Sequence, residues 1–318
     1  MGVIYRRLFD RAELADRFPP QFTHPNKVAF SRQVAGDPVP GYLEVSRWAT
    51  EELPESRSPW RPRLVDRPGY FTYDEADAPL RRHWHLNFAH YDLFSAYAGP
   101  LLAQDEMQVL EHPDLVSVRQ ALVAERLSTL VTENGMATPI LVSGVPRRGV
   151  IDTGPTPERP GGLYGNRFAA ASVSQVLAAT TRLNPPTISK VLAMEAPAYG
   201  RGAYRQNVIV DILKTAITGF GAAVTETRSA DPDGATVVHT GWWGCGAYGG
   251  NQELMAMLQL LAAEWAEVDE VVFHLGSADT RPILTRAVKV RESLPVTTAE
   301  LVAAIADRGY LWGVSDGN

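Results

Sequence analysis

Short apolar runs alternate with longer segments of helical periodicity across residues 85–310. Residues 236–239 form one such run, which is typical of a buried strand. After a glycine-rich stretch, apolar residues recur at helical spacing from 252 to 268. Because strands and helices alternate in this way, the sequence predicts an α/β fold with a mixed sheet between helical layers.

The same patterns predict the remaining elements of this region. Alternating or continuous apolar segments predict strands, and apolar positions three and four residues apart predict helices. The predicted strands are 82–89, 138–144, 190–196 and 270–275, and the predicted helices are 113–130, 205–220, 280–291 and 298–308. The helix at 205–220 is expected to end near Gly219 and Gly221.

Residues 1–70 have a different character, since prolines interrupt them repeatedly. Proline disfavours long regular elements, so only a short helix at 6–14 is expected there. Aromatic residues such as Trp48, Trp60 and Tyr70 are expected to hold the segment against the rest of the chain. The sequence therefore predicts two parts, an accessory N-terminal segment over 1–70 and one larger domain over 71–318.

Composition and charge are those of an ordinary globular protein. The 318 residues are 45% hydrophobic and 21% charged, with a formal net charge of −6. An acidic chain is a poor match for a broad nucleic-acid surface or for a long groove that binds a polyanion. Backbone N–H groups can still bind one diphosphate locally.

Several classes of site are not expected. The seven histidines and the single cysteine, Cys245, show no metal-ligand spacing, so neither a metal site nor a cofactor is predicted. One cysteine also excludes an intramolecular disulfide. No long apolar run and no secretory leader is evident, so the expected location is cytoplasmic, without a membrane partner. The oligomeric state is left open.

The glycine-rich stretch is the first candidate for chemistry. Residues 241–250 contain five glycines and lie between a predicted strand and a predicted helix. Exposed N–H groups beside a helix N-terminus form an anion site, typically for phosphate. The alternative is a tight turn with packed tryptophans, because a glycine-rich motif alone is weak evidence.

The second candidate is the acidic pair Asp105 and Glu106, which directly precedes an apolar run. Acids are favoured in the first turn of a helix, where they meet the positive end of the helix dipole. From spacing alone, two solvated and inert acids at a helix start are the better interpretation.

Both stretches resemble the eukaryotic-type poly(ADP-ribose) glycohydrolases. The second phosphate loop of that family reads G-N-W-G-C-G-A-F-G-G, and here it reads Gly241-Trp242-Trp243-Gly244-Cys245-Gly246-Ala247-Tyr248-Gly249-Gly250. The similarity continues without a gap through the following helix to the strand Asp269-Glu270-Val271-Val272-Phe273.

A second set of motifs follows the family order upstream. The family carries F-A-N, a G-G-G loop, Q-E-E-I-R and P-E-L. The corresponding residues here are Phe88-Ala89-His90, Gln104-Asp105-Glu106-Met107-Gln108 and Pro113-Asp114-Leu115. The resemblance covers about residues 70–310 and implies a macrodomain core whose ligand is an ADP-ribose unit.

The resemblance also implies roles for individual residues. Glu106 would be the general acid and base, with Asp105 beside it in the catalytic pair. The residues that it assigns to substrate binding are His90, Gln104, Gly241, Trp243, Gly244, Cys245, Gly246, Ala247, Tyr248 and Gly249. Tyr164 is the candidate for a tyrosine that closes over the ligand. Asp77 represents an acidic group at 74–77 that would read adenine, although an exposed acidic loop explains this group equally well.

Four departures from the family pattern change the expected site. The family's three glycines fall on Phe94-Ser95-Ala96, its ribose-holding asparagine falls on His90, and its first acid is the shorter Asp105. Leu275 replaces an aromatic residue. Side chains at 94–96 are expected to crowd a diphosphate or to reshape the cleft.

The predicted function is hydrolysis of the ribosyl bond of an ADP-ribose-containing substrate. The substrate is poly(ADP-ribose) or a smaller ADP-ribosyl conjugate, and the acidic charge and the changed first loop favour the smaller one. The first alternative is a non-catalytic reader that binds ADP-ribose. The second is a binder of another diphosphate nucleotide.

Overall fold

The computed structural model describes residues 2–73, 80–198 and 200–317. Ten strands and ten α-helices are formed by the described residues. The strands are β1 (Val3–Asp10), β2 (Tyr42–Trp48), β3 (Arg63–Arg67), β4 (Arg81–Ala89), β5 (Thr132–Glu133), β6 (Met136–Ala137), β7 (Ile140–Ile151), β8 (Thr180–Glu195), β9 (Ala235–Thr240) and β10 (Glu270–His274).

Helices cover the faces of the sheet and connect its strands. They are α1 (Arg11–Arg17), α2 (Pro25–Val34), α3 (Gln104–Glu111), α4 (Asp114–Ala124), α5 (Arg167–Ala170), α6 (Val173–Ala178), α7 (Gln206–Ala230), α8 (Gln252–Trp265), α9 (Arg281–Glu292) and α10 (Thr298–Ala306).

Eight strands form one mixed sheet in the order β1-β2-β7-β8-β4-β9-β10-β3. The pairs from β1 to β8 are antiparallel, whereas β8, β4, β9, β10 and β3 run parallel. The prediction of an α/β fold with a mixed sheet between helical layers is confirmed. Parallel strands end at the same edge, so the loops after β3, β4, β8, β9 and β10 meet there.

The N-terminal region contributes more to the sheet than the sequence predicts. β1, β2 and β3 are three of its eight strands, and the segment expected to be a short helix divides into β1 and α1. Residues 1–70 are therefore built into the sheet and are not only a layer on it. The sequence signal for these strands was weak because they form by pairing with strands that are distant in the chain. Arg47 pairs with Ile140, and Arg63 pairs with Glu270.

Helix α7 is the central helix of the core. It continues through Gly219 to Ala230, so its predicted end near Gly219 is wrong. A Cβ at Gly219 would lie 2.8 Å from the sulfur of Met194 on β8, so this glycine allows close packing of helix on sheet. By length and composition α7 could cross a membrane, but 67% of its apolar window is buried inside the fold.

Candidate active site

A cavity of about 590 Å³ lies at the carboxyl edge of the parallel strands. Its walls come from the ends of β4, β8, β9 and β10, from the start of α3, and from the residues after β3. Most of the predicted site residues line it: His90, Gln104, Asp105, Glu106, Tyr164, Gly241, Trp243, Gly244, Cys245, Gly246, Ala247 and Tyr248. Two distant stretches of sequence are thus brought to one cleft.

Among the predicted site residues that the structure describes, Gly249 does not line the cavity. The loop 241–250 turns back at Gly249, and a Cβ there would lie 3.1 Å from the carbonyl oxygen of Gly313, so this glycine faces the C-terminal residues. Asp77 lies outside the described residues.

Glu106 lies in the first turn of α3 with only 5% of its surface exposed. One carboxylate oxygen accepts a hydrogen bond of 3.0 Å from the N–H of Ala103. Burial, together with the neighbouring charge of Asp105, raises the pKa of Glu106 to about 7. The sequence left open whether burial or the helix N-terminus would dominate, and burial is the larger effect.

Asp105 is also buried, and its carboxylate is held from two sides. Asn87 of β4 donates its side-chain amide to Asp105 at 3.0 Å, and the backbone N–H of His90 donates as well. Burial raises the pKa of Asp105, while both donors favour its ionised form. Asn87 was missed at the sequence level because it reads as an ordinary position within a strand.

Gln104 has a structural task that follows from the register of the sheet. The pairing of β4 with β9 ends at His85, which leaves the next backbone groups of β4 without a strand partner on that side. The Gln104 side chain accepts from the N–H of Phe88 at 2.7 Å and donates to the carbonyl of Leu86 at 3.0 Å. Its amide therefore fixes the start of α3 to β4.

The loop 241–250 presents unpaired backbone donors to the cavity. Within the described parts of the chain, the N–H groups of Gly244, Gly246 and Ala247 donate to no protein acceptor. Gly244 has φ of +73°, and a Cβ there would lie 2.4 Å from the Cβ of Ala196. Successive free N–H groups in a glycine turn form the kind of concavity that binds a phosphate.

The two tryptophans of this loop serve packing. Trp243 is fully buried, and its indole N–H donates to the carbonyl of Met194 at 3.1 Å. The indole N–H of Trp242 donates to the carbonyl of Leu275 at 2.9 Å. These two hydrogen bonds hold the loop to β8 and to the residue after β10, while Trp242, Trp243 and Tyr248 all line the cavity.

The residues that replace the family's first glycine loop do not crowd the cavity as expected. Phe94 keeps a glycine-like backbone, with φ of +55°, and its ring is fully buried in a hydrophobic cluster with Leu93 and Val109. Of the three residues at 94–96, only Ala96 lines the cavity. The backbone passes through the left-handed region at Phe94, and the phenyl ring packs into the core.

Tyr70, Tyr164 and His274 also line the cavity. Tyr70 and Tyr164 stack with ring centroids 5.4 Å apart. The carbonyl of Tyr70 lies 3.1 Å from Nδ1 of His274. His274, His239 and His83 then form a buried line, with nitrogen-to-nitrogen distances of 3.1 and 3.0 Å. Because the carbonyl oxygen of Tyr70 can only accept, Nδ1 of His274 donates to it. This donor sets the direction of the hydrogen bonds along the three histidines.

The C-terminal residues lie against the glycine loop. Trp312 stacks on Tyr204 at 4.2 Å, and the N–H of Gly313 donates to the carbonyl of Gly249 at 2.8 Å. Asp316 lines the cavity, with a carboxylate oxygen 3.1 Å from the place of a Cβ on Gly246. An acidic group therefore lies beside the unpaired N–H groups, and no sequence motif indicated it.

A comparison with known protein families matches one part of the chain. Residues 163–281 match the family model described as poly(ADP-ribose) glycohydrolase (PARG), macro domain fold. This segment contains Tyr164 and the loop 241–250, whereas the pair Asp105 and Glu106 lies outside it.

Solved structures similar to this chain include two bacterial poly(ADP-ribose) glycohydrolases. The enzyme from Thermomonospora curvata is 14% identical, with a TM-score of 0.46, and the similarity covers 90% of this chain and 85% of that one. The enzyme from Deinococcus radiodurans in complex with ADP-ribose is 16% identical, with a TM-score of 0.43 and coverage of 91% and 94%.

The sequence resemblance stated above and the family model agree on the same loop, strand and helix. Residues 163–281, less than half of the chain, are therefore similar to the poly(ADP-ribose) glycohydrolase family of the macrodomain fold.

Proposed function

We propose that this protein hydrolyses the ribosyl bond of an ADP-ribose-containing substrate, with Glu106 as general acid and base. The observation that carries the proposal is a buried carboxyl whose pKa is raised to about 7, in the same cavity as a glycine loop with unpaired N–H groups. A proton donor and a diphosphate cradle are the two parts that this reaction needs.

The glycine loop is assigned to the diphosphate. The N–H groups of Gly244, Gly246 and Ala247 would donate to phosphate oxygens, as in other backbone anion sites. Tyr248 would lie over the adjoining ribose. This cradle uses backbone dipoles and no cationic side chain, so it is compatible with the net charge of −6.

The acid pair is assigned to the bond that breaks. Glu106 is half protonated near neutral pH, so it can give its proton to the leaving atom as the anomeric bond breaks. The Glu106 carboxylate then takes a proton from water, and the oxygen of this water bonds to the anomeric carbon. The products are ADP-ribose and the protonated leaving group. Asp105 and His90 would hold the ribose hydroxyls.

The substrate is proposed to be a small ADP-ribosyl conjugate in preference to the polymer. The chain is acidic overall, and Asp316 adds a carboxylate beside the diphosphate cradle. Both features oppose the approach of a long polyanion.

The test is release of free ADP-ribose from poly(ADP-ribose), from mono-ADP-ribosylated protein and from small ADP-ribosyl conjugates. Glu106→Gln is expected to lower kcat by about 10²- to 10⁴-fold, the usual range for loss of a general acid, and to keep ADP-ribose binding. Asp279→Asn is the matched control, because Asp279 is an exposed acid two residues from the cavity residue Ser277. Equal turnover in wild type and Glu106→Gln would refute the assignment.

A non-catalytic ADP-ribose reader is the second candidate, favoured by the replacement of the first glycine loop and of the asparagine at His90. Binding of ADP-ribose without product from any substrate in the panel would establish the reader. Absence of both product and ADP-ribose binding would leave the nucleotide assignment without support. Faster release from the polymer than from every small conjugate would overturn the substrate preference.

A further inference from the structure

Helix α2, in the N-terminal region that carries no motif, packs beside the acid pair. Phe30 and Val34 of α2 share a buried cluster with Leu102 and Leu110, which lie on either side of the acid pair in the chain. Asn26 fixes the start of the helix by donating to the carbonyls of Phe168 at 2.7 Å and Ala171 at 2.9 Å. α2 is therefore held firmly against the start of α3.

Lys27 of this helix is fully buried, with 0% of its surface exposed. Its ammonium group donates to the carbonyl of Tyr97 at 2.8 Å, in the loop that leads to α3. A buried ammonium is costly unless opposite charge compensates it. Asp105 and Glu106 are the acids whose charges act on Lys27, and each is buried on α3.

The charges of these three groups balance when one proton is shared by the two acids. Asp105 receives hydrogen bonds from Asn87 and from the N–H of His90, which favour its ionised form. Glu106 receives backbone hydrogen bonds from Ala103 and from its own N–H, and Tyr164 also faces this group. With Lys27 charged and Asp105 ionised, a protonated Glu106 leaves the buried cluster neutral. Loss of the ammonium would leave the Asp105 carboxylate uncompensated.

We propose that Lys27 is a positioning residue for the reaction: its buried ammonium balances the ionised carboxylate of the acid pair and ties the loop at Tyr97 to α2. The proposal rests on the assigned role of Glu106 for its effect on catalysis. It also assigns a task to the N-terminal region, which contributes no residue to a known motif of the site.

The first test measures the protonation midpoint of Glu106 by ¹³C NMR of its carboxyl carbon. The signal is assigned by its loss in Glu106→Gln. Lys27→Met is expected to raise the midpoint by about one pH unit, since a neighbouring cation lowers a carboxyl pKa by one to three units. Lys27→Arg keeps the charge and should restore a midpoint close to wild type. Asn26→Ala loosens the same helix without removing a charge, so it should leave the midpoint unchanged.

The pH profile of kcat/KM gives a second readout. The limb of the profile that reports Glu106 should move to higher pH in Lys27→Met and should not move in Asn26→Ala. If the wild type shows no turnover but the NMR midpoint still moves, Lys27 keeps its role and the proposed reaction fails. An unchanged midpoint in Lys27→Met overturns the proposal, whether or not the protein is active.

A reciprocal measurement covers the case in which Lys27→Met does not fold. Coupling between two groups acts equally in both directions. The double variant Asp105→Asn/Glu106→Gln removes both carboxylates and should therefore lower the midpoint of the Lys27 ammonium, measured by ¹⁵N NMR of Nζ. The same ammonium midpoint in the double variant and in wild type would contradict the proposal.

Discussion

Glu106 shows how one residue can be well placed for chemistry and poorly placed for stability. Its position at the start of a helix is favourable for an ionised acid, yet burial and the charge of Asp105 raise its pKa to about 7. In the unfolded chain an ordinary glutamate has a pKa of 4.5. The folded protein therefore holds this proton more tightly than the unfolded chain does.

The first prediction concerns stability and pH. The stability from proton binding at Glu106 is fully present below pH 4.5 and is lost as the pH rises to about 7. Glu106→Gln removes this loss, because the amide does not ionise. Relative to wild type, the variant should gain roughly 2–3 kcal/mol in unfolding free energy between pH 4.5 and pH 8, since one pKa unit corresponds to about 1.4 kcal/mol.

Urea unfolding of both proteins at pH 4.5 and pH 8 measures this effect. Asp279→Asn changes a carboxyl to an amide at an exposed position, so its difference from wild type should stay the same at the two pH values. A stability difference between Glu106→Gln and wild type that is equal at both pH values would show that Glu106 is not strained by its burial.

Residue types at the site were predictable, but their contacts were not. The motifs indicated Gln104 and Trp243 as substrate-binding residues, and their roles in binding stay predictions. The structure uses the Gln104 amide to complete the edge of β4, and it uses the Trp243 indole to hold the loop against β8. Both contacts depend on where distant strands end, which a local motif does not report.

At the scale of elements, strong hydrophobic periodicity was sufficient to predict a strand or a helix where its packing is regular. The predicted strand at 82–89 and helix at 252–268 correspond to β4 and α8. β1 and β3 were missed because their residues show little alternation and their partners are far away in the chain. Gly219 was misread as a helix end, because the contact with Met194 that requires it is tertiary.

The second prediction concerns the turn of the glycine loop. Gly244→Ala forces an L-residue into φ of +73° and places its Cβ 2.4 Å from Ala196. Gly309 has φ of +66° with no heavy atom within 4 Å of its Cβ position, so Gly309→Ala carries the backbone strain without the clash. The strain alone costs about 1 kcal/mol, and the clash adds to it.

Calorimetric titration with ADP-ribose separates the two variants. Gly244→Ala should lose at least tenfold in affinity, because the unpaired N–H groups at 244–247 move. Gly309→Ala should bind as wild type does. If both variants bind equally well, the loop 241–250 is not the diphosphate site.

At the scale of the whole molecule, the cleft is assembled from both ends of the chain. The N-terminal region supplies Tyr70 to the cleft and buries Lys27 on α2, the middle supplies the acid pair, and the C-terminal residues supply Asp316. Family motifs indicate only the middle and the glycine loop. The other residues reach the cleft because the mixed sheet gathers loops from strands that are distant in sequence.

The last prediction follows from the carboxylate of Asp316 beside the glycine loop. A diphosphate in that loop would meet a like charge, so Asp316→Asn should strengthen ADP-ribose binding by roughly five- to tenfold, which corresponds to about 1 kcal/mol, the size of one such contact in bulk water. The gain should shrink as salt is raised, because screening weakens repulsion. Asp16→Asn, at an exposed acid on α1, removes the same charge away from the site and should leave affinity unchanged. Weaker binding in Asp316→Asn would instead mean that Asp316 holds the ligand, for example through a ribose hydroxyl, and that the C-terminal residues form part of the binding surface.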